Sequence, residues 1–296
     1  MYELIIIGGG PAGIAAGIYA ARKKLKAVLL TKDFIGQTGK AGIIENWPGE
    51  KEILGPELIS KFEDHLKSYD IDIKEEEVVN VEKGFTVKTD KESYSSRAVL
   101  VTSGRKPRAL NVPGEEEFIG KGVVYCTTCD APLFQDKTVV VVGGGNSGFE
   151  SAIELTDYAK KVYLFESFSE IVADEFLQEK AQKKGVEVFV NRKVTAVRGE
   201  KFLEEIDYEE SGKKDSLKID GLFVQIGSVP ISSFLGDLVD YNEGGDIKID
   251  ARSFETKTEG LFAAGDVTDI KYKQIVIATG EGVKATLSAY DYLKKK

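Results

Sequence analysis

The 296-residue sequence predicts an α/β fold in which one unit interrupts another of the same kind. Three observations carry this. An apolar strand runs into closely spaced glycines and then an Ala-rich helix at the N-terminus, the same pattern recurs near the middle, and two Gly-rich, charged stretches break the composition. With 42% hydrophobic residues the chain can fill its cores, and 49 acidic against 40 basic residues give a formal charge of -9. That balance argues against a nucleic-acid or membrane surface.

The first pattern is "ELIIIGGGPAGIAAGIYAARK". Gly8, Gly10 and Gly13 form GxGxxG between a strand and a helix, the mark of a Rossmann-like dinucleotide-binding unit. The first two glycines permit the tight turn and let backbone approach a pyrophosphate, Gly13 lets helix and strand close up, and the helix N-terminus faces the phosphates. The apolar run stops at glycines and has no basic region before it, so it reads as a strand and not as a signal peptide. No apolar stretch approaches the roughly 20 residues of a membrane helix. With two cysteines and no export signal, a reducing cytoplasm is the expected home.

The next strand, "KAVLLTKDF", ends in Thr31, Lys32 and Asp33, so the acid that meets a ribose is missing or displaced and this unit's ligand stays unspecified. "EILGPELISKFEDHLKSYDIDI" has apolar residues at helical spacing with Pro56 near its start, which predicts a helix against the outer unit. His65 on it is expected at the surface. Trp47 in "IENWPGE" lines a cofactor or fills a turn. The stretches "NVPGEEEFIGKG" and "DYNEGGDIKID" read as the two connections, which places the outer unit at 1–113 and 244–296 and the inserted one at 114–243. Paired connections of this kind can act as a hinge.

Early in the inserted unit stands "YCTTCDAPLF", with both cysteines of the chain. A closed zinc site wants four Cys or His ligands, and only His65 remains, so a metal would need a site shared between chains. A structural crosslink is weak, because Cys126 to Cys129 closes a very short loop. Thiol–disulfide exchange is the reading left. It needs an electron source, and "KTVVVVGGGNSGFESAIELTDYAKKVYLFES" supplies a second fingerprint at Gly143, Gly145 and Gly148. Its following strand ends in Glu166, roughly 20 residues on, where a carboxylate accepts from a ribose 2'-hydroxyl. A 2'-phosphate is repelled there, and nothing basic neighbours Glu166 in "FESFSEIVADEF", so the site is expected to prefer NADH to NADPH. Near the C-terminus, "TEGLFAAGDVTD" reads as a buried strand and a turn at Gly265 and Asp266.

Taken together and in order, "GGGPAG", "GQ", "ENWPG", "TSG", "NVPGE", "CTTCD", "GGGNSG" and "GLFAAGDV" resemble the low-molecular-weight thioredoxin reductases, FAD-dependent pyridine nucleotide-disulfide oxidoreductases. "FVQIGSVP", "CDAPLFQDK" and "YKQIVIATGEGVKATLSAYDYL" are similar to the reductase part of the alkyl hydroperoxide reductase flavoprotein. The resemblance implies FAD in the first unit, held by Gly8, Gly10, Pro11, Ala12, Gly13, Gly36, Gln37, Asn46, Thr102, Gly104, Gly265, Asp266, Gln274 and Ile275. It implies NADH in the second, held by Gly143, Gly145, Asn146, Ser147, Gly148, Glu166 and Gly227. Where typical thioredoxin reductases carry a basic "HRR" motif this chain has "FESFSE", which agrees with NADH. Ala131 replaces a usual glycine.

By the same resemblance, Cys129 faces the flavin, Cys126 attacks the partner's disulfide, and Asp130 is a general acid for the departing thiolate, unless it is only a turn residue. Domain rotation about the connections and a homodimer are further implications. That flavoprotein normally bears an extra thioredoxin-like module, so a separate acceptor is expected: thioredoxin, a glutaredoxin-like protein or a peroxiredoxin system. Rival readings are an NADH oxidase acting on oxygen, an NADPH-dependent thioredoxin reductase, a dithiol oxidase and a non-enzymatic nucleotide sensor.

Overall fold

A computed structural model describes residues 1–41, 43–44 and 46–295. The chain divides into two compact units, Met1–Lys106 with Val229–Lys296, and Pro107–Ser228. The strands and helices of the first part are β1 (Tyr2–Ile7), α1 (Pro11–Arg22), β2 (Ala27–Thr31), β3 (Ile43–Ile44), β4 (Ile53–Leu54), α2 (Gly55–Lys67), β5 (Asp72–Glu75), β6 (Val78–Glu82), β7 (Thr86–Thr89) and β8 (Ser93–Val101). β9 (Arg105–Pro107) leads into the insertion. There follow α3 (Glu115–Phe118), β10 (Val123–Val124), α4 (Thr127–Asp130), β11 (Thr138–Val142), α5 (Asn146–Leu155), β12 (Lys161–Phe165), α6 (Glu175–Lys183), β13 (Glu187–Phe189), β14 (Arg192–Gly199), β15 (Leu203–Glu210), β16 (Lys213–Lys218) and β17 (Gly221–Val224). The return strand β18 (Ser228–Pro230) pairs with β9, and β19 (Leu261–Ala263) and α7 (Ile275–Lys295) complete the outer unit.

In the outer unit β5, β2, β1 and β8 lie side by side, all parallel, and β19 adds in parallel to the last third of β8. The first third of β8 pairs instead with the antiparallel hairpin β6–β7. Alternation along β1 explains the two cores: Leu4 and Ile6 face one side, Ile5 and Ile7 the other. The first side is closed by α1, α2 and α7 through Ile14, Ala20, Ile59, Leu66, Ala285 and Leu293. Full burial of such a Leu or Ile is worth about 1.5–3 kcal/mol.

The inserted unit repeats the plan. Five parallel strands run in the order β10-β17-β11-β12-β13. Val139 and Val141 face α5 and α6 through Phe149, Ala152 and Ala181, while Val140 and Val142 face the antiparallel meander β14–β15–β16 through Val194, Ile206 and Tyr208.

The insertion begins at Pro107 and ends at Ser228, earlier at both ends than the composition breaks place it. The stretch before Gly114 is tied into the inserted unit, with Leu110 and Asn111 N–H donating to Glu115 and Val197 N–H to the Pro113 carbonyl. The stretch after Ser228 belongs outside: Ile247 is fully buried in the outer core and Arg105 pairs with Asp246. The helix predicted around Pro56 stops at Lys67, and the "DIKE" at its end is edge strand β5, registered against β2. His65 is exposed beside Tyr69, and Trp47 packs edge-on to Phe62 at 4.9 Å between ring centroids. No helix of the described residues is long and apolar enough to cross a membrane.

Candidate functional site

In each unit the candidate residues gather at the carboxyl ends of the parallel strands, where open α/β sheets bind their ligands. After β1 the chain turns at Gly8 with φ 114°. A Cβ there would lie 2.5 Å from the Thr102 carbonyl oxygen, and one on Gly13 would lie 1.8 Å from that of Gly8. Gly10, by contrast, has nothing within 4 Å of an added Cβ. So two glycines let the protein close on itself, and the third leaves room for something else. Pro11 opens α1, whose first turn has neither a side-chain cap nor an acidic residue, so its N–H groups suit an anion. Thr102 locks the turn by donating to the carbonyls of Ile7 and Gly8, at 2.9 and 3.0 Å.

Around this turn the outer unit assembles its other candidates. Gly265, with φ 77°, comes within 3.0 Å of the Ala12 methyl as measured from an added Cβ. Its N–H donates to the buried carboxylate of Glu281 at 2.8 Å. Asp266 follows, half-buried; burial pushes its carboxyl up, and the charges of Lys273 and Arg105 pull it back. Burial likewise pushes Glu281 up and Lys273 down. Gln37, exposed after Gly36 (φ 48°), donates to the Arg105 carbonyl at 3.2 Å. The exposed Asn46 donates to Gln274 at 3.1 Å, directly before Ile275 opens α7. Gly104, with φ 67°, has open space where a side chain would stand.

The second turn copies the first. An added Cβ on Gly143 would sit 2.2 Å from the Gln225 carbonyl oxygen, one on Gly148 1.9 Å from that of Gly143, and Gly145 is open. Helix α5 again starts without a side-chain cap or an acid in its first turn. The units differ at the end of the next strand. In the first, Thr31 is buried and donates to the Asp33 carbonyl, with its hydroxyl 2.6 Å from an added Cβ on Gly9. In the second, Glu166 Oε2 accepts from Gly144 N–H at 2.5 Å, and Oε1 accepts from Phe168 N–H at 2.9 Å and the Ser167 hydroxyl at 3.1 Å. The tertiary structure also brings Arg192 alongside, its N–H on the Glu166 carbonyl. Its guanidinium lies 3.8 Å from the Phe189 ring centroid and pairs with Glu210. Asn146 is spent locally, exchanging hydrogen bonds with Asp174, and Ser147 is exposed. Gly227 (φ 88°) stands two residues after Gln225, and its carbonyl takes Arg108 N–H.

Cys126 and Cys129 are joined in a disulfide with Cα atoms 5.4 Å apart. Cys126 stands at the N-cap of α4 and its Sγ accepts from Cys129 N–H at 3.3 Å; it is half-buried, whereas Cys129 is exposed. Asp130 is half-buried, and burial pushes its carboxyl up. Thr128 donates to Glu154 on α5 at 3.1 Å. Tyr125 donates its phenol to Glu115 at 2.5 Å, and burial first and that carboxylate next push the phenol up. Among the described residues no cluster of three or more His, Cys, Asp or Glu could hold a metal.

Glu281 touches Gly265, Gln225 abuts Gly143, and Glu115 holds Tyr125 beside Cys126; sequence reasoning singles out none of the four. Only Glu281 carries a signal, a charge in the buried stripe Ala278, Glu281, Ala285 and Ala289 of α7.

Residues 2–282 match the model of the pyridine nucleotide-disulphide oxidoreductase family. The chain is 42% identical over 300 residues to the F component of alkyl hydroperoxide reductase from Staphylococcus aureus, a match covering 99% of this chain and 59% of that relative. Thioredoxin reductase of Lactococcus lactis superposes with a TM-score of 0.93 at 30% identity, covering all of both chains. Thioredoxin reductase of T. acidophilum gives 0.89 at 36% identity, covering 98% of each.

Proposed function

The chain belongs to the pyridine nucleotide-disulphide oxidoreductases as a thioredoxin reductase-like disulfide reductase, and on that premise we propose that it passes electrons from NADH through FAD and the Cys126–Cys129 disulfide to a small thioredoxin-like or glutaredoxin-like protein. A peroxiredoxin system served by such a protein fits equally. The observation that carries the reading is one chain with two open glycine cradles and a bonded CxxC in the unit of the second. A homodimer in a reducing cytoplasm is part of the same reading.

The residues present fit both cofactors. Gly10 leaves open space before an uncapped helix, as a pyrophosphate requires, and Gly145 does the same in the inserted unit. FAD would be held by Gly8 to Gly13, Gly36, Gln37, Asn46, Thr102, Gly104, Gly265, Asp266, Gln274 and Ile275. The dinucleotide would be held by Gly143, Gly145, Asn146, Ser147, Gly148 and Gly227, with Glu166 on the adenosine ribose. Bound flavin supplies two-electron exchange between nicotinamide and disulfide.

The rest is done by the chain. Opening the Cys126–Cys129 bond takes two electrons and one proton and leaves one thiol and the Cys126 thiolate. Asp130, on the same short helix as Cys129 and with its carboxyl pushed up by burial, is the group placed to pass that proton to the leaving thiolate. The Cys126 thiolate then attacks a sulfur of the partner's disulfide, expelling the other partner sulfur as a thiolate. Cys129 attacks Cys126 in the mixed disulfide, which frees the partner as a dithiol and restores the bond seen here. Glu166, held by three donors, fits a ribose hydroxyl and repels a 2'-phosphate.

Anaerobic titration of the flavin-loaded protein tests this. The expected result is two hydride equivalents per protomer, taken readily from NADH and poorly from NADPH. One equivalent would put the disulfide outside the circuit and favour an oxidase; preference for NADPH would overturn the role of Glu166.

A further inference from the structure

One buried carboxylate next to the redox pair has no part in the mechanism above. Glu115 opens the short α3 and is 3% exposed. Its Oε1 accepts from Leu110 N–H at 2.7 Å and from the Tyr125 phenol at 2.5 Å, and its Oε2 accepts from Asn111 N–H at 2.6 Å. A carboxylate so deeply buried is costly without donors, and here it has three charge-assisted ones. The two backbone donors belong to a sharp turn: Asn111 has φ 56°, and Gly114 has φ 86° with an added Cβ 2.1 Å from the Val197 carbonyl oxygen. Glu115 is therefore a fixed post, and Tyr125 is fastened to it. Gln225, whose own carbonyl abuts Gly143, lies 3.5 Å from the Tyr125 carbonyl. The next residue is Cys126.

We propose that Glu115 and Tyr125 are positioning residues that hold the Cys126 end of the disulfide and thereby set how strongly the two thiols favour the bonded state. The proposal rests on the reading above that this disulfide cycles. The equilibrium between disulfide and dithiol depends on the effective concentration of one thiol for the other. With Tyr125 tethered, opening the bond leaves Cys126 in place and only Cys129, exposed on α4, free to move. Without the tether the reduced pair gains freedom and the bonded state loses preference.

The experiment is equilibration of the full-length protein with glutathione, followed by rapid alkylation and a count of free thiols. Two glutathione thiols give two electrons and two protons to the Cys126–Cys129 bond, yielding the dithiol and one glutathione disulfide. In Tyr125→Phe we expect the equilibrium to move about tenfold towards the dithiol, a potential higher by about 30 mV. Glu115→Gln should shift it likewise, and the double variant no further than either single one, because the two act as one unit. Tyr94→Phe is the control. It deletes another phenol bound to a buried carboxylate, Glu76, in the outer unit, and should leave the equilibrium unmoved. A Tyr125→Phe equilibrium within twofold of the parent, additive shifts in the double variant, or an equal shift in Tyr94→Phe each overturns the proposal. If Glu115→Gln does not fold, Tyr125→Phe against Tyr94→Phe decides it. No NADH or protein partner enters, so failure of the donor or acceptor assignment leaves this result readable.

Discussion

Replacing Glu166 by Gln tests the choice of dinucleotide at a single charge. The carboxylate is half-buried and pinned at both oxygens, Oε2 by Gly144 N–H and Oε1 by Phe168 N–H and the Ser167 hydroxyl. A 2'-phosphate brings about −1.5 to −2 charges to this point. For charges roughly 5 Å apart at a partly solvated site, the repulsion is on the order of 2 kcal/mol, or about 30-fold. Gln keeps the shape and removes the charge, so the preference for NADH should fall by about that factor. It also exacts a second cost. An amide accepts at one end only, so either Gly144 or Phe168 N–H faces an NH2 group, at about 1–3 kcal/mol. That loss weakens both dinucleotides alike, which makes their ratio the proper readout. The assay is the anaerobic rate of flavin reduction in a stopped-flow, with NADH and NADPH over a range of concentrations, and needs no protein partner. A ratio in Glu166→Gln within twofold of the parent would refute the electrostatic argument.

Three further outcomes follow from the geometry. Gly10→Ala should fold normally, since no atom lies within 4 Å of the new Cβ, yet lose FAD, whereas Gly13→Ala should lower Tm as well because its Cβ falls 1.8 Å from the Gly8 carbonyl oxygen; flavin content and apo-protein melting separate the two. Cys129→Ser should accumulate a mixed disulfide with a CxxC acceptor and Cys126→Ser none, seen on non-reducing gels, and both should take up one hydride equivalent instead of two. For Asp130 the sign follows from burial, which raises its pKa above the ordinary 3.8. The folded state then binds the proton more tightly than the unfolded one, so the contribution of Asp130 to stability is full below pH 3.8 and is lost as pH rises through the folded value. Asp130→Asn should abolish that decline in urea melts against pH, and should flatten the fall of the disulfide-reduction rate over the same range; an unchanged pH profile would exclude the acid role.

The legible parts of this molecule were local. Gly8, Gly10 and Gly13, and their counterparts Gly143, Gly145 and Gly148, stand out because a tight turn and a helix start are built within a few residues of chain. The CxxC and the strand-end position of Glu166 are local for the same reason. The composition breaks and the bounds of the compact units differ because a Gly-rich, charged stretch looks solvated whichever unit it folds onto; Ile247 and Pro113 take their sides through partners far along the chain.

Residues close along the chain are thus enough for the fold class, the duplicated fingerprint, and the residue types able to exchange hydride and thiol electrons. Tertiary structure alone decided which acid in "EEEF" is buried, because Leu110, Asn111 and Tyr125 offer donors to Glu115. It also set the Arg192 guanidinium against Phe189 and Glu210, and Glu281 under Gly265. The reason is physical: turn geometry is dictated by neighbours in sequence, whereas the burial of a charge depends on donors that only the folded chain brings within hydrogen-bonding reach.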